Sequence, residues 1–379
     1  MPPKSSSISL LHHFEKIEDP RIDRHKLHSL SDILLIIFSG SICGAESWQD
    51  FADFGKSKLD YLRRFTALEN GVPSKNTLHR VVSSINPEQF KACFHQWIRG
   101  VQRELGDVIA IDGKVLRGSF DKATERSAIH MVSAFSTSTK LVLAQQKVDV
   151  KSNEITAIPK LLELLMLKGA VVTMDAMGCQ KSITKNIIEA GGDYAIAVKG
   201  NQKKLHEQLK THFSNISGMQ DHNQVSVNIS KENNRNRIEQ RLCLATSNLD
   251  WLEEKEKWSG LKSVIVVESK RTLENRTSVE KRYYISSLEA DAEKLNCIAR
   301  AHWGIENSLH WVLDVTFNED ASRNRLNDTP ENMAMVKHVV LNQLQAAKRN
   351  FKKGMSIKSL RKNAGWNDAI LDEVLMASL

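Results

Sequence analysis

Apolar residues in the first 105 positions of the chain recur at helical spacing. The segment 86–105 is the clearest case, because Asn86 suits a helix cap, Pro87 suits the first turn, and apolar residues then repeat with a helical period. The most apolar run, "ILLIIFSGSICGA" at 33–45, is too short to span a bilayer and predicts a buried helix. The pattern therefore predicts an all-helical region over residues 1–105.

Residues 59–85 of this region have the outline of a helix-turn-helix unit. A periodic segment runs to Glu69, the stretch "NGVPS" interrupts it, and Ser74 is placed to cap a second helix. The apolar positions of that second helix, which are expected to face the core, are Leu78, Val81, Val82 and Ile85. The polar positions, which are expected to face outward and are the candidate DNA-binding residues, are Lys75, Asn76, His79 and Arg80. Such a helix could enter a major groove, and the alternative is a plain helical hairpin.

From residue 107 the hydrophobic pattern becomes that of strands. Three apolar runs with turn signals between them are followed by a helix predicted to end at Gly169, a short strand closed by Asp175, another helix and a further strand. This β-β-β-α-β-α-β order predicts an α/β fold with a mixed sheet covered by helices. Residues 220–288 hold four more strand-like runs and predict a β-rich insertion, and helices resume near residue 290.

Composition adds a bias towards an anionic partner. The 379 residues include 53 Lys and Arg against 45 Asp and Glu, which gives a net charge of +8. The stretch 341–366 has seven basic residues and no acid, although a solvated helix face explains it equally well. Five widely spaced cysteines fit neither a disulfide framework nor a zinc knuckle, so a reducing, cytoplasmic setting is expected. No segment predicts a membrane partner.

Two aspartates interrupt or close apolar strand-like runs, where an ionised side chain is costly unless it is paired or metal-bound. Asp112 lies in "VIAIDG", and Asp175 closes "VVTMDA". Side chains at the carboxyl ends of strands face the crevice where open sheets bind ligands. Either aspartate alone is typical of a turn or cap, but the two together with Glu306 favour a cation site. Carboxylates suit Mg²⁺, or Mn²⁺, and a pair of such ions supports displacement at phosphorus.

The segment 300–320, "RAHWGIENSLHWVLDVTFNED", places His302, Glu306 and His310 on one helical stripe. One interpretation is a zinc site made by these three residues, but no HExxH or HxxxH motif and no nearby Cys supports it. The preferred interpretation takes Glu306 as the third carboxylate, ahead of the nearby Glu319 and Asp320. His302 and His310 then support the ligands or face a phosphate.

Three further residues near the candidate site each have two interpretations. Trp303 and Trp311 are most simply core residues, and the alternative is stacking on an unpaired DNA base. Lys199 comes after a buried strand and either meets a phosphate or is a solvated strand end.

These residues resemble the DDE transposases of bacterial insertion sequences, especially the group that contains the H-repeat-associated proteins. The motifs that carry the resemblance are "AIDGKVLRGS", "VVTMDAMGCQ", "AIAVKGNQ", "YYISSL", "HWGIENSLHWVLDVTFNEDASRNR" and, near the amino terminus, "GVPSKNTLHRV". They cover nearly the whole chain. The resemblance implies an RNase H-like core in which Asp112, Asp175 and Glu306 are the catalytic and metal-holding acids.

The expected domain order is a helical DNA-binding domain at 1–105, a first core part at 106–219, the β-rich insertion at 220–288, and the Glu-bearing and C-terminal helices at 289–379. The resemblance implies cleavage of double-stranded DNA at the inverted-repeat ends of an element and transfer to target DNA. It also implies a homodimer on DNA at the bacterial nucleoid. The alternatives are a DNA-binding remnant without catalysis and a general RNase H-like nuclease.

Overall fold

The computed structural model describes residues 9–24, 26–99, 107–120, 127–149, 152–216, 225–234, 237–273, 276–352 and 354–379. Its α-helices are α1 (Ser9–Phe14), α2 (Leu30–Cys43), α3 (Trp48–Ser57), α4 (Leu59–Leu62), α5 (Lys75–Ser84), α6 (Pro87–Ile98), α7 (Glu154–Leu162), α8 (Lys181–Glu189), α9 (Lys203–Ile216), α10 (Ala292–Ala301), α11 (Trp303–Ile305), α12 (Trp311–Phe317), α13 (Thr329–Lys348), α14 (Ile357–Trp366) and α15 (Asp368–Leu375). A π-helical turn, Glu306–His310, joins α11 to α12. The strands are β1 (Val108–Leu116), β2 (Ile129–Ser136), β3 (Val142–Lys147), β4 (Val171–Met174), β5 (Asp193–Val198), β6 (Ser226–Asn234), β7 (Arg237–Thr246), β8 (Ser263–Leu273) and β9 (Arg276–Ser286).

The predicted helical character of the N-terminal region is confirmed, and three of its helices begin at the predicted caps. The side chains of Ser47, Ser74 and Asn86 accept hydrogen bonds from backbone N–H groups in the first turns of α3, α5 and α6. The apolar run at 33–45 lies mostly in α2, which is buried along nearly its whole length. The predicted buried helix is therefore confirmed.

Two predicted helix ends are wrong, and a third lies outside the described residues. The helix expected to run to Glu69 ends at Leu62, and Leu68 then takes a φ of 43°, which an α-helix does not include. The helix expected to end at Gly169 ends at Leu162, where the hydrogen bonds of Leu164 and Leu165 to carbonyls three residues back replace the helical pattern by short turns. The predicted end of the 86–105 helix falls on undescribed residues.

The described strands form one nine-stranded sheet in the order β3-β2-β1-β4-β5-β9-β8-β7-β6. β1 is parallel to β4, and β4 is parallel to β5, whereas the other neighbours are antiparallel. The predicted mixed sheet is confirmed. The strands of the predicted insertion extend this same sheet, because β9 pairs with β5. The domain boundaries themselves stay a prediction.

Helices cover the two faces of the sheet around β1. Gly113 faces α7, because a Cβ there would overlap the Glu154 carboxylate and lie 2.5 Å from His130 Nε2. His130 Nε2 and Glu154 Oε1 are themselves paired at 2.9 Å. Asp112, the preceding residue, therefore faces the opposite side, where α10 and α11 pack against β1. This alternation directs the first candidate acid towards the helix that carries Glu306.

Helix α13 joins the N-terminal helices to the sheet. Its Asn332 Nδ2 donates to the carbonyls at the end of α5, and Asn342 bonds both the N–H and the C=O of Val142 on the edge strand β3. Gln343 donates to carbonyls at the end of α15. Because buried amide groups are costly when unpaired, these bonds fix how the three regions pack.

None of the described helices is, by itself, long and apolar enough to cross a membrane. Helices α2 and α3 meet the length and composition test only when they are taken together, across a bend of 97°.

Candidate metal centre

The first two candidate acids occupy equivalent positions of neighbouring strands, Asp112 within β1 and Asp175 directly after β4. These parallel strands pair Ile111 with Met174, so Asp112 and Asp175 occupy the next position of each. Adjacent strands are about 4.8 Å apart, and equivalent positions face the same side. Asp112 is not at the end of its strand, because β1 continues to Leu116 opposite β2. At Asp112 the pairing of β1 with β4 has ended, whereas the pairing of β1 with β2 continues to Leu116.

Glu306 reaches the same place from the helix that packs on this face. Its Oε2 lies 3.2 Å from His310 Nδ1, and that nitrogen lies 3.6 Å from Asp112 Oδ2. Among the described residues, Asp112, Glu306 and His310 form the group whose ligand atoms all lie within 4.8 Å of one another. The structure therefore brings the first and third predicted acids together and adds His310 between them.

The electrostatics of this group fit a cation. The pKa of Asp112 is raised to about 7, mainly by burial and also by the negative charges of Asp175, Glu154 and Glu306, while a backbone hydrogen bond acts in the opposite direction. A divalent ion among these oxygens would relieve both the burial cost and the repulsion. Carboxylate oxygens are the ligands that Mg²⁺ and Mn²⁺ accept.

Asp175 also has a local structural role. Its Oδ1 accepts a hydrogen bond of 2.9 Å from the backbone N–H of Met177, as the cap of the short turn after β4. The cap interpretation of this aspartate is therefore correct locally. Its negative charge nevertheless acts on Asp112 and raises the pKa of that carboxyl, so Asp175 belongs to the electrostatic surroundings of the group.

Lys114, a residue that sequence reasoning did not single out, occupies the face next to Asp112. Its Nζ lies 2.6 Å from Asp314 Oδ1, 3.1 Å from Asp320 Oδ1 and 3.5 Å from Glu319 Oε2. Burial lowers the pKa of Lys114, but the carboxylates raise it more, so the ammonium stays charged. We call these four residues the lysine network. It ties β1 to the end of the helix that carries Glu306.

The lysine network also separates the roles of the neighbouring acids. The Glu319 side chain is 3% exposed and lies between Lys114 and Lys337, whose Nζ is 3.7 Å from Glu319 Oε1. Glu306 has no Lys or Arg partner within the described residues, and its side chain is 56% exposed. Glu306 is thus the acid that is open to solvent and to a metal ion, which favours the predicted choice over Glu319.

His302 does not join Glu306 and His310. Its Nδ1 lies 3.1 Å from Thr173 Oγ1 on β4, and burial lowers the pKa of His302 to about 4. It is a neutral ring that packs the helix against the sheet. Across the described residues, the zinc set of His302, Glu306 and His310 is not assembled.

The expectation that Trp303 and Trp311 are core residues is wrong. They are 36% and 57% exposed, and the guanidinium of Arg282 lies 4.4 Å from the centre of the Trp303 ring. Arg282 was not predicted from the sequence, because β9 contains several charged residues and no local pattern distinguishes this one. Lys199 is exposed directly after β5, the strand next to β4. These side chains supply positive and aromatic surface outside the core.

The predicted outer face of α5 is confirmed for three of its four polar residues. Lys75, Asn76 and Arg80 are exposed. The prediction for His79 is wrong, because its ring stacks on Trp48 with centroids 4.7 Å apart. Both rings line a cavity of about 490 Å³ between the N-terminal helices and the loop after α12. A ring partner on α3 is a long-range contact that helical periodicity does not show.

The basic stretch 341–366 divides into two groups. Arg349, Lys352 and Lys358 are exposed, as a solvated face would be. Arg361 is instead buried, donates to the carbonyls of Ser41 and Thr316, and lies over the Phe317 ring. Lys353 lies outside the described residues.

Comparisons with known proteins agree on one family. The family model described as "Transposase DDE domain" matches residues 103–343, and the one described as "DDE_Tnp_1-associated" matches residues 11–98. The chain is 42% identical over 372 residues to "Putative transposase YncI" of Escherichia coli O157:H7, which covers 97% of this chain and 94% of that protein. It is 43% identical over 361 residues to "H repeat-associated putative transposase YhhI" of Escherichia coli strain K12, with 94% of each covered. These matches confirm the predicted resemblance and the RNase H-like fold.

Proposed function

Because this chain belongs to the family of transposases with a DDE domain, we propose that it cuts double-stranded DNA at the inverted-repeat ends of a mobile element and joins those ends to target DNA. The observation that carries the proposal is that ligand atoms of Asp112, Glu306 and His310 all lie within 4.8 Å of one another. Asp175 follows the neighbouring strand β4 at the position equivalent to Asp112. We propose Asp112, Asp175 and Glu306 as the residues that hold divalent cations there, with Mg²⁺ or Mn²⁺ as the ion.

The reaction has two displacements at phosphorus. In the first, a water molecule attacks the phosphodiester at the element end, the bond from phosphorus to the 3′ oxygen breaks, and a 3′-hydroxyl and a 5′-phosphate result. In the second, that hydroxyl attacks a phosphodiester of the target, forms a new bond to phosphorus and releases a target 3′-hydroxyl. When bound, the cations supply neutralisation of the charge on the attacking and leaving oxygens.

The protein side chains mainly position the groups and neutralise charge, which dominates catalysis of phosphoryl transfer. Asp112 and Asp175 are fixed by neighbouring strands, and Glu306 is fixed by a helix that the lysine network docks onto β1. Lys199 is exposed directly after β5, and we propose that it contacts a DNA phosphate. Trp303, with Arg282 over its ring, offers a flat surface to the DNA.

DNA recognition is assigned to the outer face of α5. Lys75, Asn76 and Arg80 are exposed on one helix of the N-terminal region, and the net charge of +8 favours a polyanion. Joining two ends to one target calls for two active sites, so we propose a homodimer on DNA. We also propose that the protein acts at the bacterial nucleoid, in the cytoplasm, because its proposed substrate is DNA.

The test uses purified protein and a DNA duplex that carries the inverted repeats flanking the gene, with Mg²⁺. Asp112→Asn, Asp175→Asn and Glu306→Gln should each abolish strand cleavage and spare DNA binding. The matched control is Glu253→Gln, which changes an exposed carboxylate paired with Lys204 and should cleave like the wild type.

Two outcomes would refute the proposal. Equal cutting of DNA that lacks the repeats would indicate a general nuclease. Binding of the repeats without any cleavage in Mg²⁺ or Mn²⁺ would indicate a catalytically inactive DNA-binding protein. Full cleavage by one of the three acid variants would remove that acid from the proposed set.

A further inference from the structure

His310 is held between the two carboxylates that the structure brings together. The residue is 5% exposed, and its Nδ1 lies 3.2 Å from Glu306 Oε2 and 3.6 Å from Asp112 Oδ2. A single N–H can point along a straight line towards only one of two acceptors. A hydrogen bond from His310 to Glu306 alone would therefore not account for the short distance between His310 Nδ1 and Asp112.

The two distances from His310 Nδ1 to the carboxylates are those of ligands on one ion. An octahedral ion with bonds of about 2.1 Å holds neighbouring ligands about 3.0 Å apart and opposite ligands about 4.2 Å apart. Both distances at Nδ1 lie within that interval, and Asp112, Glu306 and His310 form one group of candidate ligands. We propose that His310 Nδ1 is a direct ligand of the cation that Asp112 and Glu306 hold, an inference that rests on the proposed function.

The other nitrogen of the ring supports this tautomer. A histidine that binds metal through Nδ1 carries its proton on Nε2, and that N–H is usually given to a carboxylate. His310 Nε2 is buried and has no hydrogen-bond partner among the described residues, and the same holds for both oxygens of Glu319. The charge of Glu319 acts on the His310 ring. Within this proposal we assign Glu319 as the carboxylate that accepts this N–H when His310 binds the metal.

A nitrogen ligand changes which ion the centre prefers. Sites made only of oxygen suit Mg²⁺, whereas imidazole favours later divalent transition metals, so one nitrogen shifts the preference towards Mn²⁺. Of two ions in the proposed centre, the one held by Asp112, Glu306 and His310 should therefore bind Mn²⁺ more tightly than Mg²⁺. The ion on the Asp175 side, with oxygen ligands, should not discriminate in this way.

Pulsed electron paramagnetic resonance of the full-length protein with one equivalent of Mn²⁺ tests the inference. The Mn²⁺ signal should show coupling to a ¹⁴N nucleus, and growth with ¹⁵N-histidine should convert it to ¹⁵N coupling. His310→Asn should remove the coupling and weaken Mn²⁺ binding by at least about tenfold, while Mg²⁺ binding changes less. The matched control, His206→Asn, alters a histidine that contacts Tyr283 and should leave the coupling intact.

Absence of histidine nitrogen coupling in the wild type would overturn the inference, and so would its persistence in His310→Asn. The labelled wild type decides the matter even where the variant does not fold. Cleavage of repeat-bearing DNA without nitrogen coupling would refute the ligand and leave the proposed function standing. Nitrogen coupling without any cleavage would refute the function and leave the ligand standing.

Discussion

Replacing Lys114 with Met should destabilise the protein far more than an exposed lysine variant does. The Lys114 side chain is 11% exposed and contacts three carboxylates, of which Glu319 is 3% exposed. Removing one partner of a buried ion pair leaves an uncompensated charge and costs about 3–5 kcal/mol. The Asp314 and Asp320 side chains are 35% and 32% exposed, so water can replace the lost ammonium there.

The expected loss therefore falls at the lower end of that range and comes mainly from Glu319. After the substitution, the remaining Lys or Arg partner of Glu319 among the described residues is Lys337, at 3.7 Å. A loss of about 3 kcal/mol lowers the ratio of folded to unfolded protein by about 150-fold. The assay is urea unfolding monitored by tryptophan fluorescence and far-ultraviolet circular dichroism.

The control is Lys262→Met, which removes an ion pair with Glu289 at 3.1 Å whose side chains are 56% and 77% exposed. That change should cost less than about 1 kcal/mol. Adding Glu319→Gln to Lys114→Met should restore part of the lost stability, because the buried charge is then removed as well. Equal stability of the Lys114 and Lys262 variants, or no recovery in the double variant, would refute the reasoning.

Three further predictions concern other parts of the chain. In metal-free protein, Asp112→Asn should raise the free energy of unfolding at pH 8 and leave it nearly unchanged below pH 4. The pKa of Asp112 is about 7 in the folded protein and 3.8 ordinarily, so the wild type loses stability as the pH rises from about 4 to above 7. Urea titrations in EDTA measure this, and parallel pH profiles of wild type and variant would contradict the prediction. Gly113→Ala should lower the free energy of unfolding by about 1–3 kcal/mol, because the added Cβ would overlap the His130–Glu154 ion pair. The control Gly200→Ala, where the Cβ would enter open space, should lower it by almost nothing, and thermal unfolding compares the two variants. Replacing Lys75 and Arg80 with Ala should reduce the slope of log affinity for end DNA against log salt by about 0.9 for each lost phosphate contact, and an unchanged slope would place recognition elsewhere.

The core strands were predictable because their signal is local. Each strand of the β1 to β5 set is an apolar run bounded by turn residues, and their order alone implies a mixed sheet. The two aspartates stood out for a related reason, since a charge within such a run needs a partner. The side-by-side placement of Asp112 and Asp175 then results from the parallel pairing of two neighbouring strands.

The helical stripe was predicted only in part, because the helix is not regular. A constant period of 3.6 residues aligns His302, Glu306 and His310, but the chain enters a π-helical turn at Glu306–His310. His302 precedes that turn and lies between the end of α10 at Ala301 and the start of α11 at Trp303. It contacts Thr173, while Glu306 and His310, at the two ends of the turn, contact each other.

The long-range ion pairs were not predictable from one sequence. Lys114 and Asp314 are 200 residues apart, and their pairing depends on how α12 packs against β1. The sequence does contain a partial signal, because Lys114 is a second ionisable residue two positions beyond Asp112, on the same strand face. A lysine there needs acids from another element. Which acids those are is decided only by the fold.

The arrangement of charges explains why the centre should require a cation. Lys114 lies on the same face as Asp112, yet its ammonium is engaged by the acids that dock the helix. Within the described residues, none of the three proposed catalytic acids has a Lys or Arg partner. The fold thus brings Asp112 and Glu306 together against their mutual repulsion, and no Lys or Arg among the described residues forms an ion pair with either of them. A bound divalent ion should therefore stabilise the folded protein. Once the ion concentration exceeds its dissociation constant, the free energy of unfolding should rise with the logarithm of that concentration. If Mg²⁺ and Mn²⁺ left the unfolding temperature unchanged at millimolar concentration, these carboxylates would not form a metal centre.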